Sequence, residues 1–155
     1  MRAGLPNLVL FFILVLSSAC MTLKSSPDLE SLAIFKGDNE IAAYTVEVAK
    51  TRSTRKKGLM YRKFMAEDQG MLLYYRDSVR MAIWMKNTFI PLDIIFINKR
   101  GEIVKTHTSA EPLSLETIDS GEKVQAVLEL NAGQIEKYGI SVGDRINHKK
   151  FLTVL

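Results

Sequence analysis

The chain has 155 residues and carries 21 Lys and Arg against 17 Asp and Glu, a formal net charge of +4. That length makes one domain around one core and is too short for two. The single cysteine, Cys20, excludes an intramolecular disulfide, and scattered cations not interleaved with aromatics argue against a nucleic-acid partner.

The chain opens as a targeting segment. Arg2 gives a positive start, residues 8–16 form an apolar run too short to span a membrane as a mature helix, and Ser17, Ser18 and Ala19 lead to Cys20. A signal peptide over residues 1–19 is expected. The arrangement resembles a bacterial lipoprotein signal, which implies that Cys20 is lipidated, with palmitate among the acyl groups, and becomes the mature amino terminus. The implied location is a bacterial envelope membrane, with the protein exported, anchored by lipid and facing the periplasm or exterior. An ordinary signal peptide cleaved near a cysteine, or an uncleaved anchor, are the alternatives. A basic balance suits a solvated face near anionic headgroups.

Residues 20–40 are mostly polar, with Ser25-Ser26-Pro27 and Gly37-Asp38-Asn39, and read as a tether in which residues 32–35 add at most an edge strand. The folded domain is expected over residues 41–155. Tyr44, Val46 and Val48 alternate with polar or small residues, the period of a half-buried strand. Thr51 or Ser53 caps a short helix that Gly58 stops, and Leu59 and Met60 enter the core. Residues 71–75 and 81–85 read as two strands. Residues 92–98 and 102–107 flank Asn98-Lys99-Arg100-Gly101, a hairpin signal with Gly where positive φ is needed. Residues 124–130 alternate again, residues 132–138 form a short helix ended by Gly139, and a last strand follows near Arg145-Ile146. The apolar tail, residues 151–155, is a further edge-strand candidate. Short strands, one or two short helices and no βαβ alternation predict a mainly β, antiparallel sandwich or barrel-like single domain.

Several blocks together form a recognisable series: Arg55-Lys56-Lys57-Gly58-Leu59-Met60-Tyr61-Arg62, Gly70-Met71-Leu72, Trp84-Met85-Lys86-Asn87-Thr88, Pro91-Leu92-Asp93, Val127-Leu128-Glu129-Leu130 with Ala132-Gly133, and Gly139-Ile140 with Gly143-Asp144. In order and spacing the chain resembles the family named domain of unknown function 192. The resemblance implies a compact β-sandwich of the jelly-roll kind, often exported, and it implies no established activity. Ile83 and Leu73 stand where the family more often has Phe.

Site candidates therefore come from the residues themselves. Trp84, Lys86, Asn87, Thr88 and Asp93 gather polar groups at the mouth of a core strand. They either build a strand connection, with Asp93 clamped to Lys86, or present donors to a ligand. Trp84, the sole tryptophan, either packs in the core or floors a pocket. Glu129 sits between leucines near a strand end, where a buried carboxylate needs a cation, and Arg55 and Arg62 are the natural partners. If Asp93 and Glu129 converge, one protonated and one ionised, they form a carboxylate pair for acid–base work.

No Gly-x-Ser-x-Gly elbow occurs. His107 and His148 lack neighbours at metal-ligand spacing, so neither a metal nor a cofactor is expected. The leading expectation is a binding or accessory module for a small polar or anionic ligand or a partner protein. Trp84, Lys86, Asn87, Thr88 and Asp93 would line its site, supported by Glu129 and Arg55. The alternatives are an envelope hydrolase using Asp93 and Glu129, and an interaction protein using an exposed edge strand such as the tail.

Overall fold

The computed structural model describes residues 29–151. The expected signal peptide, the lipidated Cys20, the first part of the tether and the last four residues of the tail lie outside the described residues. Seven strands and two short helices follow in the order β1 (Leu29–Lys36), β2 (Asn39–Ala49), α1 (Arg52–Lys57), β3 (Gln69–Ile83), β4 (Leu92–Ile97), β5 (Ile103–Ala110), β6 (Ile118–Asn131), α2 (Gln134–Tyr138) and β7 (Arg145–Asn147). The protein is mainly β.

All seven strands belong to one sheet, ordered β5-β4-β6-β3-β2-β1-β7. The sheet curls until its two edges touch. Glu102, just ahead of β5, bridges Arg145 of β7, and the Ile103 amide donates to the Asp144 carbonyl at 2.9 Å. The barrel-like alternative thus describes the shape better than two stacked sheets. One strand pair departs from the antiparallel expectation: β2 and β3 run parallel, Val46 beside Gly70 and Glu47 beside Met71. Parallel neighbours require a crossover. Residues 50–68 supply it and carry α1 across one face of the sheet.

The sheet starts earlier than its polar flank suggests. In β1, Glu30, Leu32 and Ile34 are buried in alternation, and the strand lies between β2 and β7. The second half of the expected tether is therefore an interior strand, disguised because one of its inward residues is a glutamate. Lys50 and Lys149 each approach Glu30 to 3.2 Å, and the buried His148 approaches it to 3.0 Å. The two strands expected at residues 71–75 and 81–85 are one long strand, β3, whose pairing with β6 slips between Tyr74 and Val79. Phe151 is buried edge-on against Tyr74, so the start of the tail turns inward rather than offering an edge.

Both faces of the sheet carry a core. Leu32, Tyr44, Val46, Leu72, Ile95, Leu128 and Leu130 pack on one side, inside the curl. Leu59, Met71, Leu73, Met81, Met85, Ile94 and Phe96 pack on the other. Burial on both sides explains why every residue of β4 is buried. Residues paired across strands project from the same face. One row therefore reads Val46, Gly70, Leu130, Asp93, and the next, on the opposite face, reads Glu47, Met71, Glu129, Ile94. That alternation decides where the two candidate carboxylates point.

Candidate functional site

Asp93 lies on the inner face, fully buried. Its Oδ1 accepts from the Ser109 amide at 2.9 Å and its Oδ2 from the Ile135 amide at 2.8 Å. Ile135 is the second residue of α2, whose N-cap, Gly133, has no side chain to offer the helix. Asp93 supplies the missing cap from a neighbouring strand. Ser109 has φ +50° and sits where the β4–β5 register slips, so the same carboxylate holds that irregularity in place. Asp93 bonds backbone amides rather than Lys86, and its role here is structural.

Glu129 lies on the outer face with 5% of its surface exposed. Asp93 and Glu129 thus stand on opposite sides of the sheet and form no carboxylate pair. Neither expected arginine pairs with Glu129. The Arg62 guanidinium forks onto Glu47, with both contacts at 2.6 Å. Arg55 donates to the Lys50 carbonyl and, at 3.0 Å, to the Tyr74 carbonyl, and it lies 4.1 Å over the Tyr75 ring. Glu129 Oε2 is buried without a hydrogen-bond partner. Burial raises this carboxyl to about pKa 7, against a smaller opposing pull from the Arg62 charge.

Above Glu129 lies a cleft of about 350 Å³. α1 forms one wall. Thr51 caps it by accepting from the Thr54 amide at 3.1 Å, and Arg55, Lys56 and Lys57 fill its last turn, where the helix dipole favours cations. None of its residues is buried. Gly58 then ends the helix with φ +48°, a conformation that side chains resist. A Cβ there would lie 3.6 Å from Glu129 Oε2 and 3.9 Å from Oε1, so the absent side chain leaves a notch over the carboxyl. Arg52, Arg55, Lys56 and Lys57 line the cleft, and among the described residues Glu129 is its only acid. Leu59, Leu73, Ile83 and Trp84 give it apolar walls.

The residues expected around Trp84 divide. Trp84 is 42% exposed and lines the cleft, so it does not pack in the core. Lys86 lies 5.0 Å over its ring. Thr88 is buried and also lines the cleft, while its amide and carbonyl bond Met85 and Leu113. Asn87 has φ +58° and grips Tyr61: its Nδ2 donates to Tyr61 Oη at 2.9 Å and its carbonyl accepts the Tyr61 amide at 2.8 Å. It builds the turn and does not line the cleft. The structure therefore brings together Arg55, Trp84, Thr88 and Glu129 and leaves Lys86, Asn87 and Asp93 outside.

The cation cluster of residues 52–57 reads in sequence as a solvated face and Gly58 as a helix stop, not as parts of a site. The motif Arg55-Lys56-Lys57-Gly58 held the signal, but nothing in it says that a parallel crossover folds the helix over Glu129.

The family model for domain of unknown function 192, described as "Uncharacterized ACR", matches residues 33–148, and the chain belongs to that family. Two solved structures are similar. One is a proposed transcription regulator from Sinorhizobium meliloti 1021, 41% identical, with TM-score 0.78, covering 81% of this chain and 97% of its own. The other is a protein of unknown function from Novosphingobium aromaticivorans DSM 12444, 28% identical, with TM-score 0.73, covering 77% of this chain and 84% of its own. No curated protein matches.

Proposed function

We propose that the protein is a binding module that holds a small anionic ligand in the cleft between α1 and Trp84. One observation carries this reading: among the described residues, four cations line a concave, partly apolar space with Glu129 buried at its floor. The two wall types suit a ligand with an apolar body and an anionic group. The signal-like start and Cys20 support a lipid-anchored position outside the cytoplasm. Acyl label that persists after Cys20→Ser would remove that part of the proposal.

Calorimetric titration with benzoate tests the cleft. Lys56 and Lys57 are exposed, so K56A/K57A should keep the fold and weaken binding by about tenfold, on the order of 0.5–1 kcal/mol for each cation removed. Equal affinity in both proteins would count against the site.

Two other roles have less behind them. Hydrolysis through Asp93 and Glu129 lacks its geometry, because the sheet separates them. The transcriptional role proposed for the Sinorhizobium protein would need a DNA-reading element, and the helices among the described residues here have six and five residues. A partner-protein role finds support at a different place from the tail. Tyr61, Phe64, Phe89, Leu113 and Leu115 are exposed, and the Leu113–Thr88, Met85–Ser114 and Tyr61–Asn87 backbone bonds gather their loops at one end. Loss of partner capture on F64S/F89S with intact benzoate binding would favour that role.

A further inference from the structure

We propose that the cleft takes up its anion together with a proton, with protonated Glu129 donating its O–H to one oxygen of a carboxylate ligand whose apolar body lies against Leu59, Leu73 and Trp84. This rests on the anion-binding reading of the same cleft. Three independent features of the site lead to it.

First, the Glu129 carboxyl is buried, has an oxygen with no hydrogen-bond partner, and faces the notch left by Gly58. A buried polar atom left without a partner costs free energy, and a ligand oxygen arriving over Gly58 would supply one. Second, the cations of α1 draw anions to this cleft, and an ionised Glu129 at the floor would repel what they draw. The two demands agree only if the floor group is neutral when the ligand binds. Third, the surroundings hold it neutral. Its cross-strand neighbours, Met71 and Ile94, carry no charge, and Thr88 and Tyr75 present only uncharged groups to the cleft. The Arg62 charge that would favour ionisation is neutralised by Glu47. Arg55 is occupied by two carbonyls and the Tyr75 ring, while Arg52, Lys56 and Lys57 lie on the exposed helix.

No covalent bond other than O–H changes. At low pH the proton is already on Glu129. At higher pH binding withdraws one from solvent, and affinity falls.

Benzoate and sulfate are suitable probes, because neither titrates near neutral pH. Wild-type benzoate affinity should be flat below about pH 7 and fall by about tenfold per pH unit above it, with one proton taken up per ligand in the upper range. E129Q offers a permanently neutral N–H donor, so it should bind benzoate with the low-pH affinity at every pH. Sulfate, lacking an apolar body, should follow the same profile more weakly. A flat wild-type profile, affinity that rises with pH, or loss of binding in E129Q at all pH values would overturn the proton-coupled site and leave the anion site standing. Failure of both probes to bind at any pH would overturn both.

Discussion

Two acidic residues near adjacent strand ends have opposite fates in this fold. Asp93 accepts from two backbone amides within 2.9 Å and works as a structural acceptor, whereas Glu129 has no such partners and is pushed toward its neutral form. The difference lies in which face each side chain leaves from, a consequence of pairing Ile94 with Glu129 rather than of local sequence. It has a thermodynamic signature. A carboxyl with a folded pKa above its unfolded value binds more protons when folded, so its contribution is most favourable below about pH 4.5 and is lost as pH rises to about 7. Replacing Glu129 with Gln removes that loss. Unfolding in urea should show E129Q gaining on wild type across this window, by on the order of 3 kcal/mol at the upper end. A stability difference independent of pH would mean that the fold does not raise the Glu129 carboxyl above its unfolded value.

At the scale of elements, what the sequence makes legible is local. Alternation in β2, the Gly58 and Gly139 helix stops and the Asn98–Gly101 turn are read from the residues that make them. Pairing direction is not local, so the parallel β2–β3 pair and the crossover that sets α1 over Glu129 were hidden. β1 was hidden by its inward Glu30, whose cationic partners come from residues 50, 148 and 149. A lone tryptophan in a strand pattern reads as core because it usually is, but Trp84 follows the last residue of β3, Ile83, and stands outside the ladder. Asp93 illustrates a long-range element contact that no spacing announces: it fastens α2 and β5 to β4. D93A removes both bonds and leaves the buried Ile135 amide and the part-buried Ser109 amide without their acceptor. It should lower urea-unfolding stability by about 3 kcal/mol while sparing benzoate affinity in the folded fraction. A wild-type stability for D93A would show that water replaces the carboxylate.

At the scale of the molecule, a single curled sheet with a core on each face leaves few places for a ligand. The inner face is filled by apolar side chains and α2. The outer face is covered by the crossover of residues 50–68 and by the loop after β3, and the cleft is the gap between these covers. Rigid strands thus hold the floor, while a short solvated helix supplies the charge, a division that suits selective binding. The family signature around Trp84 contributes one wall of that gap and the turn beside it. A crystal of the protein grown with 4-iodobenzoate, with the iodine located by anomalous scattering, tests this most directly. One iodine is expected between α1 and Trp84, with the carboxylate over Gly58 within hydrogen-bond distance of Glu129. Iodine bound elsewhere, with the cleft holding only solvent, would contradict it.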